Sequence, residues 1–146
     1  MTIATRDFKR RIKNFLERYG WAFREGKDEI LTGFYGSDEH YFSQRISFDR
    51  SFVCFDTLLY SLKSNYNRTN IEILQLSQNL NEQLPISKFV MVGTQLFSRV
   101  TLHARNIDYD IFTNTLEMIS HHSDLARSLF GPVLDSEEAM QNNLIL

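Results

Sequence analysis

The sequence predicts an α+β domain. An antiparallel sheet of five or six strands carries packed helices, in the order helix, three or four strands, helix, two strands, helix. Three observations support this. Apolar residues recur at helical spacing in three separated stretches. Between them, apolar and polar residues alternate with the period of a strand that has one wet face. Triplets such as Gly26-Lys27-Asp28, Gly36-Ser37-Asp38 and Asp49-Arg50-Ser51 punctuate those runs as turns. Helices separated by hairpins, rather than alternating singly with strands, belong to α+β architectures.

Residues 6–19 place Phe8, Ile12, Phe15, Leu16 and Tyr19 on one helical stripe. Thr5 is the expected N-cap and Gly20 the left-handed residue after the helix, with Trp21 folding back. Strands follow at Trp21 to Glu25, Ile30 to Tyr35 and Tyr41 to Phe48. In the last of these Phe42, Ile46 and Phe48 face one way and Ser43, Arg45 and Ser47 the other. Phe52 to Leu59 is apolar at both parities and reads as a central strand covered on both sides.

Residues 60–68 are polar and loop-like. Thr69 and Glu72 fit a capping box, opening a helix that Pro85 ends. Its sheet-facing stripe is Ile73, Leu76, Leu80 and Leu84. Lys88 to Gly93 and Leu96 to Ala104 form a hairpin about Gly93-Thr94-Gln95. Asp108 caps a last helix with two apolar stripes. Phe112, Leu116, Ile119, Ser123, Ala126 and Phe130 form one; Ile111, Met118, Leu125 and Leu129 form the other. Gly131-Pro132 is the expected stop. These assignments give a single domain over 1–132 and a C-terminal tail over 133–146.

The chain has 146 residues and 17.2 kDa, one domain's worth. At 42% hydrophobic and 23% charged it is not a disordered composition. One cysteine excludes an internal disulfide framework. No apolar run reaches the ~18 residues of a membrane helix. A net charge of -2 and a pI near 6.1 disfavour nucleic acid as partner. The N-terminus has no apolar secretory core, and Cys54 in its Phe-rich strand reads as a small buried hydrophobe. Both fit a cytoplasmic protein. Charge is uneven. Arg6, Lys9, Arg10, Arg11, Lys13 and Arg18 crowd the first helix, and acids such as Asp108, Glu117 and Glu138 crowd the C-terminal part. Side-by-side terminal helices of complementary charge account for this; a basic partner-docking helix is the other reading.

Catalytic patterns are missing from the sequence. Thr32-Gly33-Phe34-Tyr35-Gly36 lacks the Lys-Ser/Thr pair of a phosphate loop, and no serine sits in a nucleophile elbow. His121 and His122 are adjacent, so they point about 100° apart and cannot ligate one metal from one helix face. His121 reads as solvated and His122 as bordering the core. No catalytic, cofactor or metal residue is assigned.

Phe15-Leu16-Glu17-Arg18-Tyr19-Gly20-Trp21, followed by Ile30-Leu31-Thr32-Gly33-Phe34-Tyr35-Gly36, resembles the opening of YbjN-type domains. Phe52-Val53-Cys54-Phe55 resembles that family's apolar strand, and Leu80 to Phe89 its helix-to-strand junction. The likeness spans about Phe8 to Phe130. It implies a type III secretion chaperone-like fold, usually a homodimer, that binds a partner protein or regulates signalling and performs no catalysis.

The leading functional expectation is therefore a non-enzymatic protein-interaction domain, chaperone-like or an adaptor, with no nucleic-acid or membrane partner. The alternative is a small-molecule binder or unrecognised enzyme using a pocket between helix and sheet. The middle helix supplies the interface candidates. Ile71 and Leu74 lie opposite its sheet-facing stripe, near Gln75 and Gln78, as a face that meets a second copy.

Overall fold

A computed structural model describes residues 3–145, with side chains described over 5–137. The elements are α1 (Ile3–Tyr19), β1 (Arg24–Glu25), β2 (Glu29–Tyr35), β3 (Tyr41–Asp49), β4 (Phe52–Ser61), α2 (Asn67–Gln83), β5 (Lys88–Val92), β6 (Gln95–His103) and α3 (Tyr109–Ile145), with one 3₁₀ turn at Ala104–Asn106. One six-stranded antiparallel sheet has the order β1-β2-β3-β4-β6-β5. The α+β reading holds, with the upper strand count.

The helices lie on one face of the sheet. Ile12 and Leu16 of α1 and Phe112, Leu116 and Ile119 of α3 bury against Ile30, Ile46, Phe55 and Val100. Ile73 and Leu80 of α2 join Ala126 and Phe130 of α3 over Tyr60, Phe89 and Leu96. A buried polar row, Thr32, Gln44, Thr57 and Ser98, crosses the covered face at one register level. On β4 and β6 it separates Phe55 and Val100 of one cluster from Tyr60 and Leu96 of the other. Alternation therefore continues through the core, but the covered side is not apolar throughout.

Local signals held where nothing competed with them. Gly20 is left-handed at φ 87°, and the Trp21 amide donates to the Leu16 carbonyl at 3.1 Å, closing α1 as a 6→1 turn. Trp21 then stacks on Phe34, centroids 5.6 Å apart. The Ile111 amide donates to Asp108 Oδ1 at 2.8 Å, the expected cap of α3.

Elsewhere tertiary contacts prevailed. α1 begins at Ile3, so Thr5 lies inside the helix rather than capping it. α2 begins at Asn67, and no side chain caps it. Thr69 is buried in its first turn, where its Oγ1 donates to Glu137 Oε2 at 2.8 Å instead of to its own backbone. That partner exists because α3 does not stop at Gly131-Pro132. The helix runs on to Ile145. An internal proline costs about 3 kcal/mol through one lost backbone bond and a ring clash. Packing of Val133 and Leu134 on the α2 cluster, and the Thr69–Glu137 bond, offset that cost.

Three further expectations need correcting. β4 is central, but among the described residues no helix covers its second face. Asp56 is buried there by neighbouring strand residues, and Cys54 is only half-buried. In the second stripe of α3, Ile111 and Leu129 are 40% and 39% exposed; only Met118 and Leu125 pack. The described ion pairs of α1 run from Lys9 and Lys13 to Glu25 at 3.1 and 2.9 Å, not to acids of α3. Arg18 meets α3 through the Tyr109 ring, 3.9 Å from its centroid.

Candidate functional site

With every helix on one side, the other face of the sheet is open. Strand alternation aims two adjacent rows of side chains from it. The first row crosses five strands as Leu31, Arg45, Asp56, Arg99 and Lys88. The second includes Gly33 beside Ser43, then Leu58, Phe97 and Val90. A charged row thus runs beside a largely apolar one.

Asp56 anchors the charged row. It is 2% exposed, and Arg99 grips it with two bonds, Nε to Oδ1 at 2.8 Å and Nη2 to Oδ2 at 2.9 Å. Bidentate geometry is what allows a carboxylate to sit among Phe97, Leu58 and Cys54. The same bond raises the Arg99 guanidinium above its ordinary pKa, so Arg99 stays charged. Burial, and then the Asp56 charge, push the Cys54 thiol up, away from the thiolate a nucleophile needs.

Arg45 is placed differently. Its nearest acids are Asp56 and Glu29, at 3.7 and 3.8 Å, beyond hydrogen-bond length. Its guanidinium lies 5.8 Å from the Phe97 ring centroid and is 41% exposed. Gly33 shapes the neighbouring surface. A Cβ there would collide with the Tyr41 phenol and the Phe42 carbonyl, so glycine lets Tyr41 lie flat across β2. Between these residues runs a trough of about 550 Å³, walled by Leu31, Tyr41, Arg45, Leu58 and Phe97 with Asp56 in its floor. A hollow between helix and sheet, beside Phe42, Leu59 and Phe130, measures about 10 Å³.

The interface residues expected from the sequence lie elsewhere. Ile71 is 57% exposed, Gln75 and Gln78 are exposed, and Leu74 is half-buried, all on α2. They are on the helical side of the sheet, so the structure does not join them to the trough. Two features escaped sequence reasoning. One is the trough, whose signal was an aspartate inside the apolar run of β4. The other is a buried pair, Ser87 Oγ and His122 Nδ1 at 2.7 Å, which holds α3 against the start of β5. Ser87 is 0% exposed, so no substrate reaches its hydroxyl. His121 is exposed and His122 buried, as expected. Among the described residues no three His, Cys, Asp or Glu side chains gather as metal ligands, and no helix is long and apolar enough to cross a membrane.

The sequence matches no protein-family profile and no curated protein. Solved structures match over most of the chain. The chaperone–effector complex HopA1–SchA contains a chain matched at TM-score 0.60 and 10% identity, covering 88% of this chain and 98% of that one. The ExsC–ExsE complex gives TM-score 0.56 at 12% identity, covering 89% and 97%. The chain has the type III secretion chaperone fold. YbjN from E. coli shares it, at TM-score 0.53 and 12% identity over 89% of this chain and 90% of that one. The chaperone fold was thus legible in the helix-Gly-Trp step and the Thr-Gly-Phe strand quoted above.

Proposed function

We propose that this protein is a non-enzymatic, chaperone-like or regulatory binding domain, cytoplasmic and homodimeric, that holds a segment of another protein. The observation that carries this reading is the open sheet face. All the packed helices lie on the opposite side, and the open side presents a trough with apolar walls instead of the uniformly polar surface of a solvated sheet. Its breadth, across several strands, suits a chain segment rather than an enclosed metabolite. The chaperone–effector complexes among the structural neighbours support a protein as the ligand. The outward face of α2, with Ile71, Leu74, Gln75 and Gln78, is the proposed contact between two copies.

Affinity capture with the wild type and with Leu58→Lys tests the binding reading. A lysine in the wall puts an ammonium where an apolar side chain should seat. Proteins retained by the wild type and lost by the variant are the expected result. Identical captured sets would exclude the trough.

A further inference from the structure

We infer that the trough recognises a partner segment that carries a carboxylate beside an aliphatic side chain, and that Arg45 is the residue that reads the carboxylate. This deepens the protein-binding reading and rests on it. The first argument is charge. Two cations, Arg24 and Arg45, line the trough against one acid, Asp56. Both oxygens of Asp56 accept their hydrogen bonds from Arg99 at 2.8 and 2.9 Å, so Arg24, Arg45 and Arg99 share two acids, Asp56 and Glu29, and one positive charge is left over.

The second argument is the state of Arg45 itself. A guanidinium carries five N–H donors in a planar fork suited to a carboxylate. Among the described residues Arg45 makes no hydrogen bond; its acids stand at 3.7 and 3.8 Å. It is nevertheless held in place, over Phe97 and flanked by Glu29 and Asp56. An arginine positioned but uncommitted forms new charge-assisted bonds with little loss of side-chain freedom.

The third argument is the adjoining apolar row. Leu58 and Phe97 stand one pleat, two residues, from Asp56 and Arg99, roughly 6–7 Å along the strands. A segment that seats an aliphatic side chain against Leu31, Leu58 and Phe97 therefore brings a nearby acid to Arg45. A basic segment would meet Arg24 and Arg45 as repulsion, which gives the trough a sign preference as well as an apolar one.

The probe is a short fluorescein-labelled peptide in which leucine and glutamate alternate with serine, paired with a peptide bearing lysine for each glutamate. Fluorescence anisotropy at low salt should show the acidic peptide binding about tenfold or more tighter. Arg45→Gln should abolish that preference, and Arg45→Lys should restore part of it, because a point charge replaces the fork. Far-UV circular dichroism of both variants controls for folding. Equal binding of the two peptides, or an unchanged preference in Arg45→Gln, overturns the carboxylate recognition. Binding of neither peptide overturns the trough as the docking site. The proposed contact between two copies at the α2 face would survive either result, since it is read from the oligomeric state.

Discussion

At the scale of single residues, the positions that matter are those where two elements come closest. Ser123 and Ala126 of α3 are both fully buried, at 0% exposure, between Ile119 and Phe130. Small side chains there set the spacing between helix and sheet. Ala126→Leu inserts several methyl and methylene groups into a packed layer and should cost about 1–3 kcal/mol. Urea unfolding checks it, and an unchanged midpoint would mean that the helix has room to move. The smallness of these two residues was visible on the helical wheel. Their burial was predictable because both share the stripe of Phe112, Leu116 and Ile119. The role of Arg45 was not predictable. Its parity put it on the wet face, but only strand pairing sets it beside an aspartate already claimed by Arg99.

Among the elements, α2 carries the clearest division of labour. Ile73 and Leu80 are buried toward the sheet at 0% and 2% exposure, whereas Ile71 stands 57% exposed on the outer side. If that outer face joins two copies, one introduced charge per chain acts twice across a two-fold axis. Leu74→Arg should therefore convert a dimer into a folded monomer, with half the mass by light scattering and an unchanged far-UV spectrum. Ile71→Arg, at a more exposed position, is the companion variant and should do the same at lower risk to the fold. A wild type already monomeric at tens of micromolar, above the roughly 1 μM Kd range of weak specific contacts, would remove the α2 face from consideration. The helix itself was legible from its 3.6-residue period. Its start was not, because Thr69 found a distant carboxylate on α3 in place of its own backbone.

For the whole molecule, the buried contact between Ser87 and His122 makes stability depend on pH. Burial, and then the neighbouring His121, hold the His122 imidazole below its ordinary pKa of 6.5. The folded protein thus prefers the neutral ring, and the unfolded chain takes up a proton that the folded one resists. Stability is full above 6.5 and is lost as pH falls below it. Glu25 and Asp38 are shifted down by their hydrogen bonds to Lys13 and Arg127, so their contributions are lost only in the more acidic carboxylate range. Urea midpoints between about pH 5 and 7 should fall with pH for the wild type and stay flatter for His122→Gln. Parallel curves for the two proteins would show that His122 carries no such linkage.

By itself the sequence determined the class of fold, the element order, the Gly20 and Asp108 boundaries and the main buried stripe of each helix. These follow from periodicity and from caps whose partners lie a few residues away. Tertiary structure alone decided the rest. It carried α3 through Pro132, because Val133, Leu134 and Glu137 find partners on α2 and its cluster that no local rule contains. It placed every packed helix on one side of the sheet, leaving β4 with a face that its apolar composition did not foretell. And it assembled the trough from residues on β1, β2, β3, β4 and β6, whose register is fixed by pairing across the sheet and not by their spacing along the chain.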